Sequence, residues 1–263
     1  MTTATAVAAI AFDSVSKSYG DGSRRVLDGV SLAVGEREFL AIVGPSGSGK
    51  TTLLRLVNRL TDPTTGTVRV AGEDVRTVDP IALRRRIGYV FQGVGLFPHM
   101  TVAENIGITP RLLGQDGATI ASRVDELIEL VRLDRVRHGR RFPRELSGGE
   151  RQRVGVARAL AANPHIVLMD EPFGALDPLT RDALAQDYRT LHDSLALTTV
   201  MITHDMMEAL LLADRIAVMR DGRLVAEGTP GTMMAHTGDD FVSELMQTPR
   251  RQADRLNALK VSR

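Results

Sequence analysis

Gly44-Pro45-Ser46-Gly47-Ser48-Gly49-Lys50-Thr51 is the stretch on which the fold turns. It follows Glu38-Phe39-Leu40-Ala41-Ile42-Val43, an apolar run of buried-strand length, and precedes a helical run from Lys50 to Leu60 that Asp62-Pro63 stops. Strand, glycine-rich turn and helix in that order supply the context in which G-x-x-x-x-G-K-[ST] binds phosphate. Gly44, Gly47 and Gly49 have no Cβ to clash, so backbone N–H groups from Gly44 through Ser46 and Ser48 to Gly49 can converge on phosphate oxygens, and the helix N-terminus adds positive potential. Lys50 is expected to reach the β- and γ-phosphates, and the Thr51 hydroxyl, beside Thr52, to take Mg²⁺. The competing reading, a glycine-rich turn with a solvated lysine, does not need the whole motif in this setting.

Outward from this unit, Ile87 to Phe91, Ile166 to Met169, Thr199 to Ile202 and Ile216 to Met219 read as short buried strands, most of them separated by helical stretches. Alternating strands and helices imply an α/β fold with a parallel sheet covered on both faces. Ile10, Phe12 and Val15 begin an edge-like strand and Val26 to Val34 a second one, an N-terminal antiparallel β patch. From about 93 to 162 no strand pattern appears, and Ile120, Val124, Leu127, Ile128 and Val131 share a helical face, which predicts an inserted α-helical subdomain. A short strand pair and two weak helices are expected after Gly222. Residues 1–9 read as a flexible tail, 10–249 as one domain and 250–263 as a charged tail, taken as a solvated helix.

A second chemical signal is the apolar strand His165-Ile166-Val167-Leu168-Met169 that ends in Asp170-Glu171. In a phosphoryl-transfer site one acid at such a strand end holds the Mg²⁺ water shell, here Asp170, and another, Glu171, polarises the attacking water. Read without the phosphate loop, the two acids would simply open a turn before Pro172. His204, just past a strand, could bond a γ-phosphate and orient water, although a lone histidine there is more often structural. Gln92 ends another strand; alone it reads equally as a polar strand end or as a ligand of metal or water.

Composition narrows the classes further. The chain has 263 residues, 43% of them hydrophobic, enough for a sizeable core. A net charge of +1, from 33 basic and 32 acidic residues, lacks the lopsided field of a nucleic-acid binder. Zero cysteines exclude disulfides, thiolate metal sites and cysteine nucleophiles, and suit a reducing compartment. The N-terminus has no basic start with a sustained apolar run, so no secretory signal is expected, and the longest apolar runs fall far short of the roughly 20 residues that span a bilayer.

Leu146-Ser147-Gly148-Gly149-Glu150-Arg151-Gln152 resembles the LSGGQ signature of ABC ATPases, with Glu150 where glutamine is usual. Ser147-Gly148-Gly149 opening a helix is a second anion-binding nest, and the resemblance implies how one chain uses two. Cassettes pair head to tail, so the signature of one subunit closes on the ATP held by another, here a second copy of the chain. The resemblance covers about residues 10 to 245 and implies a phosphate-loop ABC cassette that hydrolyses Mg-ATP, with Lys50, Glu171 and His204 catalytic. It further implies that Tyr19 stacks on adenine, that Gln92 is the Q-loop glutamine, that Asp177 belongs to the D-loop in Gly174-Ala175-Leu176-Asp177, and that His204 is the switch histidine.

Three stretches resemble the osmoprotectant, or quaternary-amine, uptake ATPases: Ile87 to Gln92 continuing through Gly95-Leu96-Phe97-Pro98-His99-Met100, Glu171 to Asp182, and Thr203-His204-Asp205-Met206. The resemblance implies uptake of glycine betaine, choline, carnitine or proline, with transmembrane permease subunits as partners, an extracytoplasmic solute-binding protein acting indirectly, no nucleic acid, and a peripheral place on the cytoplasmic face of the cell membrane. Gly95 to Ile106 would receive a short helix of the permease. Gly93-Val94 and Met207 depart from the pattern. The paired regulatory domains of many members are not expected after the cassette, nor ionic-strength sensing through them. Alternatives are the ATPase of an importer for another small solute, and that of an exporter or lipid-transport system.

Overall fold

The computed structural model describes residues 8–20, 24–235 and 238–247. Strand β3 (Phe39–Val43) is buried along its whole length, and its alternate residues enter two different cores. Phe39, Ala41 and Val43 face one; Leu40 and Ile42 face the other. This is the period of two of a strand covered on both sides. It lies in a six-stranded sheet with β6 (Ile87–Val90), β7 (Ile166–Asp170), β8 (Thr198–Ile202), β9 (Arg215–Arg220) and β10 (Arg223–Gly228), in the order β10-β9-β3-β8-β7-β6. All neighbours are parallel except β10, which turns back on β9 through Asp221-Gly222, both with positive φ.

The second sheet is antiparallel, with β1 (Ile10–Tyr19), β2 (Arg24–Val34), β4 (Thr65–Val70) and β5 (Glu73–Asp74) in the order β2-β1-β4-β5. The edge-like reading of the first strand is corrected, since Ile10 pairs with Val34 on one side and with Val70 on the other. Strand β4 carries only two buried side chains, Val68 and Val70, and the sequence pattern did not disclose it. Ile10, Phe12, Leu32 and Val68 pack with Leu53, Leu54, Leu56 and Val57 of α1 (Lys50–Val57) beneath the main sheet. Helix α1 ends before the expected Leu60, because Arg59 takes a left-handed φ of 51° and Leu60 emerges into solvent. Helix α2 (Pro80–Arg86) adds Leu83 to the same core.

The opposite core is covered by helices. Between β6 and β7 the chain forms α3 (Val102–Leu112), α4 (Gly117–Leu130), α5 (Arg135–His138), a 3-10 turn (Pro143–Glu145) and α6 (Gly148–Leu160). Thr101 with Glu104, and Ser147 with Glu150, make reciprocal capping boxes that start α3 and α6, and Asp116 caps α4. Val124, Leu127, Ile128 and Val131 are buried, with Ile120 packed against them, as the helical face predicts. Helices α7 (Pro178–Ser194), α8 (Met206–Leu212), α9 (Pro230–Met234) and α10 (240–247) complete this layer. The strand pair expected after Gly222 is one strand, β10, returning on β9. The 250–263 tail lies outside the described residues, and none of the described helices is long and apolar enough to cross a membrane.

Strand β6 approaches α6 at Gly88, where a Cβ would stand 2.7 Å from the Ala159 carbonyl oxygen and 3.2 Å from Pro164 Cγ. Gly88→Ala is expected to push the helix from the sheet and destabilise the protein by about 1–3 kcal/mol. Urea unfolding checks this; an unchanged midpoint would show that the layer gives way freely.

Candidate functional site

The phosphate loop leaves the carboxyl end of β3, turns over β9 and enters α1. At Gly44, φ is 147° and a Cβ would lie 2.0 Å from the Met219 carbonyl oxygen; at Gly49, φ is 99° and it would lie 2.6 Å from that of Val26. Only glycine fits either place. Lys50 is 6% exposed, and its ammonium donates to the carbonyls of Gly44 (2.7 Å) and Pro45 (2.9 Å), which aims it into the cradle of the loop. Burial lowers its pKa, opposed by the charges of Glu171 and Asp170. Ser48, 2% exposed, keeps a buried hydroxyl with no protein partner at the same turn, a feature that fits an oxyanion guest.

The Thr51 hydroxyl donates to Asp170 Oδ1 at 3.2 Å across the base of the loop, while Thr52 beside it is half-buried. Asp170, at the end of β7, has its carboxyl pushed up first by burial and then by the Glu171 charge, against the Thr51 bond. A hydroxyl and a carboxylate form a hard, all-oxygen donor pair. No cluster of three or more His, Asp or Glu that could hold a metal occurs among the described residues. The Thr51–Asp170 pair fits Mg²⁺, which binds through few protein oxygens and takes the rest of its shell from water and substrate phosphates.

Glu171 follows with φ of 46°, left-handed for a residue with a side chain, and its N–H bonds the Ile202 carbonyl at 3.0 Å. That backbone is strained by about 1–3 kcal/mol. The turn directs the carboxylate at two partners, since Gln92 Nε2 donates to Glu171 Oε2 at 3.0 Å and His204 Nδ1 stands 3.5 Å from the same oxygen. Gln92 and His204 come from the ends of β6 and β8, the strands on either side of β7. Parallel register thus delivers three side chains to one point beside Lys50. A pocket of about 330 Å³ opens there, reaching from Gln92, Glu171 and His204 to Gly148 on α6.

The remaining predicted positions lie further out. Ser147, Gly148 and Gly149 start α6; the Ser147 hydroxyl accepts the Glu150 N–H at 3.2 Å, and a Cβ on Gly149 would strike Thr180 Cγ2 at 2.6 Å. Asp177 caps α7, accepting the Thr180 N–H at 3.1 Å, and the Thr180 side chain first, then that N–H, hold its carboxyl below the usual range. Tyr19 ends β1 half-exposed, with the Lys17 ammonium 4.8 Å from its ring centre. Two residues that brace the elements around the site were not found in the sequence. Arg158 is 8% exposed and donates to the Val94 (2.8 Å) and Gly95 (2.7 Å) carbonyls just after Gln92, and His138 holds Glu150. A lone arginine among the apolar residues at the end of α6 was the available signal for the first.

This geometry defines a phosphate-loop nucleotide-binding α/β protein with a second, helix-borne nest. The family model described as ABC transporter matches residues 27–174, and the chain belongs to that family. The Bacillus subtilis protein called choline transport ATP-binding protein OpuBA is 45% identical over 92% of this chain. The Escherichia coli glycine betaine uptake system ATP-binding protein YehX is 46% identical over 89% of it. The chain spans 63% of the length of the first of these relatives and 75% of the second. A solved dimeric ATP-binding cassette, MJ0796 in a post-hydrolysis state bound to ADP and phosphate, superposes with a TM-score of 0.76 at 35% identity, covering 84% of this chain and 98% of that one.

Because burial raises the Asp170 carboxyl, its contribution to stability is fully present below the unfolded carboxylate value and lost as pH rises through the folded one. Asp170→Asn should therefore raise the unfolding midpoint of the nucleotide-free protein at neutral pH, with the gain shrinking in acid. If Asp170 and Thr51 hold Mg²⁺, the same variant is expected to lose most of any stabilisation by Mg-ATP, which a single site would set at about 2.7 kcal/mol at 100 times Kd. Denaturation over a pH series with and without Mg-ATP reads both; a lower nucleotide-free midpoint at neutral pH would contradict the burial argument.

Proposed function

We propose that the chain is the ATP-binding and ATP-hydrolysing subunit of an ABC importer that takes up an osmoprotectant such as glycine betaine, choline, carnitine or proline. The observation that carries the catalytic part is the Glu171 carboxylate, held by Gln92 and beside His204 next to the buried Lys50. The solute class rests on relatives named for choline transport and glycine betaine uptake. Residues 10–249 act as one ATPase domain, with 93–162 as its helical subdomain and 1–9 and 250–263 as tails.

In this reading the loop from Gly44 through Ser46, Gly47, Ser48 and Gly49 to Thr52 wraps the phosphates and Lys50 neutralises the β- and γ-oxygens. Tyr19 stacks on adenine. Thr51, Asp170 and Gln92 hold Mg²⁺, partly through water, and the ion, when bound, offsets charge developing on the phosphates. Glu171 takes the proton of the attacking water, while His204 orients that water and bonds the γ-phosphate. Ser147, Gly148 and Gly149 of a second copy close over the nucleotide, with Asp177 at the seam; the pairing is supported by the dimeric cassette this fold resembles.

The closing movement is passed to transmembrane permease subunits, whose short helix enters the groove beside Gly95 to Ile106. That groove holds about 490 Å³ and presents the exposed rings of Phe91 and Phe97 with Leu112. An extracytoplasmic solute-binding protein feeds the permease, the ATPase sits on the cytoplasmic face of the membrane, and no nucleic acid is involved.

Glu171→Gln should lower hydrolysis by about 10²–10⁴ while ATP binding survives; turnover at the wild-type rate in purified protein would remove Glu171 from the role of base. In a deletion background at high osmolarity, uptake of radiolabelled glycine betaine, choline or proline should return with the wild-type chain and not with the variant. Uptake indifferent to the chain, with ATP still hydrolysed in vitro, would overturn the solute class and leave the ATPase standing.

A further inference from the structure

Glu150 places a carboxylate in the first turn of α6, where the family signature usually has a neutral glutamine. Inside the chain the charge is favourable, because Glu150 Oε2 accepts the Ser147 N–H at 2.7 Å and completes the capping box. For an incoming anion it is unfavourable, because a triphosphate bound at Ser147-Gly148-Gly149 would meet a like charge within one helical turn.

The second carboxylate oxygen is engaged from another element. His138, 5% exposed at the end of α5, brings Nε2 to 3.0 Å from Glu150 Oε1. Its other nitrogen is 2.8 Å from the Asp134 carbonyl oxygen and 3.1 Å from the Asp134 N–H, so the ring is held at both ends. Of the charged neighbours, Arg135 is committed to Asp125 at 2.6 Å, and Arg151, beside Gly148, donates to the Leu146 carbonyl at 2.6 Å.

We infer that His138 is a positioning residue for the signature turn: its bond to Glu150 draws the acidic charge aside and screens it, so that the turn accepts a triphosphate held by a second copy of the chain. The inference rests on the paired-cassette reading given above. The ring supplies the screening that glutamine makes unnecessary, and it does so from a buried position that keeps the bond out of competition with water. The Glu150 carboxyl is held below its ordinary range, first by the Ser147 N–H and in part by His138, so the charge is present at neutral pH. A histidine that only propped the helix would be indifferent to the charge at position 150, and this separates the two roles.

The test uses the full chain carrying Glu171→Gln, which retains ATP, and follows ATP-dependent dimerisation by sedimentation. His138→Leu is expected to raise the ATP concentration for half-maximal dimerisation by about tenfold, and its penalty in the Glu150→Gln background to fall below about threefold, the non-additivity of groups in direct contact. His138→Gln, which keeps a neutral donor, should fall between. Binding of a fluorescent ATP analogue to the monomer reports the phosphate loop alone and should hold within about twofold in every variant, which also establishes folding. Dimerisation of His138→Leu at the wild-type ATP concentration overturns the inference, as does a double variant as impaired as His138→Leu alone. If the chain with His138 and Glu150 intact does not dimerise with ATP, the paired-cassette reading fails, and this inference fails with it by a distinguishable result.

Discussion

Strand β3 carries the molecule because its five residues belong to two cores at once. With Phe39, Ala41 and Val43 on one side and Leu40 and Ile42 on the other, a shift of one residue would exchange the two sets, so the register against β8 and β9 is strongly specified. The position of Gly44 follows from that register, and so does the whole phosphate loop. The same argument applies to β7 and β8, whose alternate residues also divide between the cores. Three parallel strands with specified registers end level with one another, and what they deliver at their carboxyl ends is a cradle of backbone amides, Asp170-Glu171 and His204.

The site is assembled at some expense to stability. Asp170 is buried against its preference for the charged form, Lys50 likewise, and Glu171 occupies a backbone region that a residue with a Cβ enters reluctantly. The two buried charges would be better tolerated with a guest present. An anion at the loop answers Lys50 and the free Ser48 hydroxyl, and a hard cation answers Asp170 and Thr51. Such unresolved local conflicts, surrounded by well-packed and well-capped elements, distinguish a binding site from a core.

Much of this was legible in the sequence, for definite reasons. The loop motif specifies its own strand and helix, and Asp170-Glu171 stand after a short apolar run of buried-strand length. Gln92 and His204 were individually ambiguous, and only the parallel order of β6, β7 and β8 brings both to Glu171. What was not legible depends on partners distant in sequence. Whether β1 is an edge strand is decided by β4, which offers only Val68 and Val70, either side of Arg69, as apolar signal. The end of α1 depends on the backbone at Arg59, and the use of Asp177 as a helix cap on the direction in which α7 departs.

The most informative departure was also local. Glu150 differs from the usual glutamine by one charge, and a sequence shows the substitution without showing what answers it. The answer comes from His138, in a four-residue helix within an arginine-rich stretch that has no helical periodicity to mark it. Helix α6 then has both ends specified by polar contacts from elsewhere: His138 through Glu150 at the first turn, and the Val94 and Gly95 carbonyls through Arg158 near the last. Between them a Cβ on Gly155 would come within 2.6 Å of Val94, so the helix lies directly against the segment that leaves Gln92. A rigid rod pressed on that segment and bonded to it cannot shift without moving it. The helix that bears the signature turn is therefore packed against and bonded to the segment that follows Gln92, whose side-chain amide donates to Glu171.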